Sequence, residues 1–127
     1  KEALVHLRSG GVLVVFPAGA VSRWRNDLTQ VADPEWSEHV ARLAQKTGTP
    51  VLPVKIFGRN PIWFELFGTI HRIIRSALIV RVFLASRAHK ICLKAGKMVE
   101  AQELREAGDA VAATKTLREA VELIKEP

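Results

Sequence analysis

In the stretch Val12-Leu13-Val14-Val15-Phe16-Pro17-Ala18-Gly19-Ala20-Val21-Ser22-Arg23, an uncharged run of strand length ends at a proline. Pro17 cannot donate a hydrogen bond to a sheet, so the strand must stop there. Gly19 can adopt backbone conformations that other residues avoid, and its backbone can approach a ligand closely. A hydroxyl and two guanidinium groups follow, in Ser22, Arg23 and Arg25. The stretch therefore predicts a strand that leads into a ligand-binding turn.

Helix and strand patterns alternate on either side of this stretch. We expect helices over residues 1–8 and within residues 31–47, and strands over residues 12–16, 50–57 and 90–95. Asp33 and Pro34 are predicted to cap and begin the second helix, and Gly48 to end it. Pro53 predicts a sheet edge or a bulge, because proline removes a ladder hydrogen bond.

The order of these elements predicts the fold class. A helix between two strands favours a right-handed crossover and a parallel strand pair. We therefore expect an α/β fold, with a mostly parallel sheet flanked by helices and a helical C-terminal tail. The tail is predicted as two helices, over residues 100–107 and 109–125, separated by Gly108. This divides the chain into an α/β domain over residues 1–99 and a helical extension over residues 100–127.

Composition is that of one globular domain: 127 residues, 48% apolar and 25% charged. The single cysteine, Cys92, excludes an internal disulfide, and its alternating neighbours predict a buried or half-buried strand position in a reducing, cytoplasmic compartment. The longest uncharged run, Ser9 to Ser22, is shorter than the ~20 apolar residues of a spanning helix. Four scattered histidines and one cysteine offer no metal-ligand spacing, so we expect neither a metal nor a cofactor.

Basic residues are concentrated in the first 99 residues. These carry 15 Lys and Arg against 6 Asp and Glu, whereas residues 100–127 carry 4 against 7. The net charge of +6 is thus the sum of +9 over residues 1–99 and −3 over residues 100–127. The basic first part favours anionic partners: a phospholipid surface, the phosphates of an acyl donor, or nucleic acid. An ordinary solvated surface is the alternative.

Residues 61–87 combine large apolar side chains with arginines. Aromatic rings among guanidinium groups suit the interface of an anionic membrane. The residues predicted to face that membrane are Trp63, Phe64, Phe67, Arg72 and Arg75. The alternative is a helical connection packed under the sheet.

Several ordered blocks resemble one enzyme family. Phe16-Pro17-Ala18-Gly19 with Ser22 resembles a motif of the glycerol-phosphate and lysophospholipid acyltransferase superfamily, which helps to bind the head group of the acyl acceptor. The hemolysin-type branch, associated with ornithine-lipid acylation, is more similar still. The matching blocks, which cover roughly residues 1–99 in order, are Gly10 to Ser22, Asp33-Pro34-x-Trp36-Ser37-x-His39-Val40-Ala41-Arg42-Leu43-Ala44, Val51-x-Pro53-Val54 and Gly58-Arg59-Asn60.

Two features depart from that family. Ala18 and Ala20 stand where the superfamily or the branch carries an acidic residue in this motif. The family's catalytic histidine is followed five positions later by an aspartate, but the four histidines here are followed by Gly11, Ala44, Ser76 and Lys94. The chain therefore resembles the C-terminal part of such a domain, and we expect no catalytic residue within it.

The resemblance implies transfer of a fatty acyl group from a thioester on acyl carrier protein or coenzyme A to a lyso-lipid or glycerol-phosphate acceptor, in phospholipid or ornithine-lipid synthesis. It also implies peripheral attachment at the inner face of the membrane. The residues expected to bind the acceptor are Phe16, Pro17, Gly19, Ser22, Arg23, Arg25 and Arg59. A catalytically inactive lipid-binding or membrane-docking module is the second hypothesis, supported by Ala18 and Ala20. A nucleic-acid binder is the weakest, since no recognition motif accompanies the basic charge.

Overall fold

A computed structural model gives the structure of the chain and describes residues 1–19, 22–25, 30–57, 84 and 91–126. Within these residues there are four helices and four short strands. The helices are α1 (Glu2–Arg8), α2 (His39–Thr47), α3 (Ala101–Glu106) and α4 (Ala110–Glu122). The strands are β1 (Arg23–Arg25), β2 (Gln30–Ala32), β3 (Val54–Phe57) and β4 (Cys92–Ala95).

The core lies between helices. α2 packs against α1, α3 and α4, and the small apolar face of α2 allows the close approach. The buried side chains of this core are Ala41, Ala44, Val99, Leu104, Ala113 and Leu117. The two C-terminal helices therefore share one core with α2, while the division at residue 99 into domain and extension stays a prediction.

Polar contacts hold α2 to α3 at the edge of this core. The Gln45 Nε2 atom donates to the carbonyl oxygen of Leu104 at 2.8 Å and to that of Gly108 at 3.3 Å. In return, Nε and Nη2 of Arg105 donate to the Gln45 carbonyl at 3.0 and 2.9 Å. These bonds satisfy carbonyl groups at the C-terminal ends of both helices, where the helix itself provides no partner.

Both strand pairs in the described part of the chain are antiparallel, so the predicted mostly parallel sheet is wrong. β1 pairs with β2, and β3 pairs with β4 in the register Val54↔Ala95 to Phe57↔Cys92. The strands are antiparallel because of which segment β3 pairs with. β3 pairs with a segment that follows it in sequence and runs back alongside it, rather than with a strand before α2. The described residues form a small mixed domain of helices and two-stranded ribbons.

The second strand pair is irregular beside Pro53. The regular ladder ends at Val54↔Ala95, and the next bridge joins Val51 to Val99, with both N–H···O distances at 2.9 Å. Two residues, 52 and 53, thus face three, 96 to 98, so the segment opposite Pro53 contains one extra residue. Of the two possibilities predicted at this proline, a sheet edge or a bulge, the offset pairing is a bulge, and Pro53 still accepts a hydrogen bond from Gly96 N–H at 2.8 Å.

The apolar run of residues 12–16 was predicted as a strand but is not part of a sheet in the structure. Val12, Val14 and Phe16 are 83%, 79% and 71% exposed. Their backbone N–H groups have no hydrogen-bond partner among the described residues. High β propensity alone does not make a strand, because the ladder needs a partner with free donors and acceptors.

Helix ends agree with the sequence where a glycine sets them. Gly48 ends α2 with a φ of +73° and donates to the Ala44 carbonyl at 2.9 Å. Gly108 has a φ of +96° and separates α3 from α4, whose first turn is capped by Asp109 Oδ1 accepting from Ala112 N at 2.8 Å. The start of α2 differs: the helix begins at His39, not at Pro34.

Cys92 was expected to be buried or half-buried, but it is exposed. All four side chains of β4 are exposed, so neither face of this strand is buried. On β3, Lys55 Nζ donates to the carbonyl oxygens of Glu122 and Ile124 at 3.3 and 3.0 Å, which suits the negative end of α4. None of the described helices is long and apolar enough to cross a membrane.

Gly96 is predicted to be required for packing of the β4 end against α4. A Cβ atom there would lie 2.9 Å from Ile124 Cδ1 and 3.3 Å from Pro53 Cγ. We expect Gly96→Val to lower the free energy of unfolding by about 1–3 kcal/mol, the range for overpacked sites. Urea unfolding measures this. Lys97→Val, at the exposed neighbouring position, is the control and should change stability by about 0.5 kcal/mol or less. Equal effects of the two variants would contradict the packing role.

Candidate functional site

The predicted ligand-binding turn begins where residues 12–16 end. Pro17 and Ala18 form the turn, and Gly19 N–H donates to the Phe16 carbonyl at 3.1 Å. Gly19 has a φ of +62°, a conformation that residues with a side chain rarely adopt. A Cβ atom at Gly19 would have no neighbour within 4 Å, so this side of the turn is open.

Asp33 connects the turn to the residues before α2. Its Oδ1 accepts a hydrogen bond from Ser22 Oγ, and its Oδ2 accepts one from Trp36 Nε1 at 3.3 Å. All three residues are half-buried. A carboxylate that accepts two side-chain donors holds both in place, since bonds to a charged acceptor are stronger than neutral ones. Asp33 therefore fixes Ser22 relative to Trp36.

A backbone contact adds to this connection. Ser37 N–H donates to the Pro17 carbonyl at 2.9 Å, so the turn lies against the segment that leads into α2. Beside it is an open cleft of about 360 Å³ lined by Trp36, Ser37, Glu38, His39 and Arg42. The charges of Glu38 and Arg42 neutralise each other, with Arg42 Nη2 at 2.6 Å from Glu38 Oε2. Turn and cleft together form the candidate acceptor site.

The structure brings together part of the predicted acceptor set. Phe16, Pro17, Gly19 and Ser22 lie in or beside the turn. Arg23 and Arg25 are the first and last residues of β1, paired with Ala32 and Gln30, and only their backbone is described. Arg59 lies outside the described residues. So do the five residues predicted to face a membrane, Trp63, Phe64, Phe67, Arg72 and Arg75.

The described histidines have no carboxylate partner among the residues that the structure describes. His39, the first residue of α2, is exposed and its side chain makes no hydrogen bond to them. His6 Nε2 lies 3.1 Å from the Val12 carbonyl oxygen, so this ring is engaged by the backbone. His71 and His89 lie outside the described residues. Over the described ranges, no group of three or more His, Cys, Asp or Glu side chains could hold a metal ion.

Asp33 and Trp36 are the site residues that the sequence-based prediction missed, because it assigned Asp33 to a helix cap and Trp36 to the helix that follows. The Asp33-Pro34 dipeptide was the available signal. A residue before proline is driven away from helical conformation, and Asp-Pro favours the start of a turn. The contact between Ser22 and Asp33, eleven residues apart, needs the tertiary structure.

Comparison with protein-family models, with curated proteins and with solved structures gave no match in any of the three. The resemblance to the acyltransferases therefore rests on the residues quoted for it, and the function remains a proposal.

Proposed function

We propose that this chain is the acceptor-binding part of a glycerolipid-type acyltransferase domain. In the reaction, a hydroxyl or amine of the acceptor attacks the carbonyl of an acyl thioester, and the thiol of acyl carrier protein or coenzyme A leaves. The turn holds the acceptor. The shape of the turn is set by Phe16, Pro17, Gly19 and Ser22. Arg23, Arg25 and Arg59 supply guanidinium groups for the phosphate or carboxylate of the head group.

One observation carries the proposal, namely the connection of the turn to the α2 segment through Asp33. Binding sites gain affinity from groups that are already in place before the ligand arrives. The Asp33 bonds to Ser22 and Trp36, with the bond from Ser37 N–H to Pro17, give such an arrangement beside an open cleft. Gly19 leaves room for the head group on the open side of the turn.

A lipid-binding module without catalytic activity is the second candidate. It is favoured by the lack of a histidine–carboxylate pair in the part of the chain that the structure describes. Both candidates predict a cytoplasmic protein held peripherally at the inner membrane face by its basic residues, with an anionic lipid surface as partner. They differ in whether the bound lipid is acylated.

If the proposed acceptor site is correct, Arg23 and Arg25 bind the head group of the acceptor. We expect Arg23→Gln and Arg25→Gln each to weaken binding of lysophosphatidate by about tenfold or more, the loss expected for one charge-assisted hydrogen bond. Isothermal titration of lysophosphatidate and of glycerol 3-phosphate measures the effect and separates the head group from the lipid chain. If lysophosphatidate bound and glycerol 3-phosphate did not, the affinity would come from the alkyl chain of the lipid and not from its head group.

Arg8→Gln is the matched control, because it removes the same charge from the exposed end of α1. It should change the affinity by about twofold or less, the effect of a screened surface charge. If all three variants weakened binding equally, only the net charge would matter and the proposed acceptor site would be wrong.

A further inference from the structure

An open groove of about 530 Å³ lies between α4 and the connection from β4 to α3. It follows α4 from Thr116 to Leu123, a length of about 10 Å at the rise of an α-helix. Its apolar lining consists of Ala95, Met98, Val99, Ala120, Leu123 and Ile124. The volume falls within the roughly 300–1,000 Å³ that small-molecule sites usually have.

The apolar wall of the groove is open to solvent. Leu123 is 77% exposed, and Met98 is 45% exposed. Val99 and Ile124, in contrast, are buried and form a fixed floor. An alkyl chain lying along this surface would remove apolar area from water without any change in the core, and each buried methylene contributes about 0.8 kcal/mol in transfer experiments.

Three lysines line the groove, and two of them lie beside the C-terminus of α4. Lys94 Nζ donates to the Lys125 carbonyl at 3.2 Å, which places these two residues side by side, and Lys97 lines the same groove. Within the described ranges, none of the three has an acidic partner. Lysine side chains with no acidic partner among the described residues are complementary to an anionic group.

Two carboxylates also line the groove, and both have partners. Glu103 Oε1 accepts from Glu100 N–H at 3.4 Å at the start of α3. Glu119 Oε1 lies 3.8 Å from Lys115 Nζ, about one and a half turns before the lysine end of α4. The groove therefore carries lysines that have no acidic partner among the described residues, while its two carboxylates are engaged.

We propose that this groove binds a single-chain anionic amphiphile. The alkyl chain lies along Ala120, Leu123 and Met98, and the carboxylate or phosphate head contacts Lys94, Lys97 and Lys125. The groove shares no residue with the turn at Phe16 to Ser22, and this inference does not rest on the acyl-transfer function. Because lysophosphatidate is itself a single-chain anionic amphiphile, the part of the arginine test that does not depend on this groove is the binding of glycerol 3-phosphate.

The experiment is a calorimetric titration of the full 127-residue chain with dodecanoate below its micelle concentration. Two controls accompany it. Dodecyltrimethylammonium has a similar alkyl chain with a positive charge, and acetate has the carboxylate without the long alkyl chain. We expect saturable binding of one dodecanoate per chain, and at least about tenfold weaker binding of the other two probes. Equal binding of the cationic amphiphile, or binding that does not saturate, would overturn the proposal.

Matched variants locate the site. Leu123→Asp places a charge on the groove wall, and Val111→Asp makes the same change at an exposed position of α4 outside the groove. Lys97→Glu is paired with Lys46→Glu on α2, also exposed. The groove variants should weaken dodecanoate binding about tenfold, while the controls stay within about twofold, with circular dichroism confirming that all four fold. Equal effects within both pairs would show binding elsewhere on the chain.

Discussion

Leu104→Ala is expected to lower the free energy of unfolding by about 2–5 kcal/mol, the usual loss for a buried leucine that leaves a cavity. Among the described residues, Leu104 is the large side chain that is fully buried, at 0% exposure. It belongs to the core shared by α2, α3 and α4, where the other buried members are mostly alanines. Alanine neighbours are short and cannot move in to fill the space.

Urea unfolding of the unaltered protein and of Leu104→Ala measures this difference. It appears as a lower urea concentration at the midpoint of unfolding, with an unchanged dependence of the free energy on urea. Because small domains are stable by only about 5–15 kcal/mol, the loss is a large part of the total. Leu123→Ala removes the same atoms from an exposed position and should cost about 0.5 kcal/mol or less. Similar losses in the two variants would mean that the helical core does not govern stability.

The second large effect concerns catalysis: we expect no measurable acyl transfer by these 127 residues alone. Attack on a thioester by a hydroxyl or amine needs a base within hydrogen-bond reach, and no histidine of the chain has the aspartate at the spacing of the family. Loss of a general base typically removes about 10²–10⁴ of the rate. Turnover should therefore fall to the level of background hydrolysis.

An assay with an acyl carrier thioester and a lysophospholipid acceptor tests this expectation. His39 is the residue to vary, since it lies in a block similar to the hemolysin-type branch and in the cleft beside the turn. Turnover that disappears in His39→Ala would show that His39 is catalytic and that the expectation is wrong. Turnover equal in both proteins and in a no-enzyme control agrees with it.

The sequence predicted the local structure well where one residue determines it. The end of α2 at Gly48, the break between α3 and α4 at Gly108 and the irregular pairing beside Pro53 all follow from the chemistry of single residues. Pairing between distant segments did not follow. Helix and strand order favoured a parallel sheet, yet Val54 to Phe57 pairs with a segment beginning 35 residues after the strand ends, at Cys92.

The candidate site shows the same limit. Gly19 and Ser22 were identified from the motif alone, because glycine and a hydroxyl at the end of an apolar run indicate a turn. Asp33 was assigned to a helix that begins only at His39. A carboxylate close to Ser22 in space but eleven residues away in sequence gives no periodic signal, so tertiary structure was needed to find it.

Because the segment Val12 to Phe16 is exposed, the tendency of the chain to associate with copies of itself depends on the net charge of the chain. The segment is uncharged and mostly β-branched, and the backbone N–H groups of Val12, Val14 and Phe16 have no partner among the described residues. Such a segment is a template on which identical strands can assemble. What keeps molecules apart is the net charge of +6. Salt shortens the range of that repulsion, and raising the pH towards the isoelectric point near 10.0 removes it. The chain is therefore expected to stay dispersed in dilute neutral buffer and to precipitate first in concentrated salt or alkali.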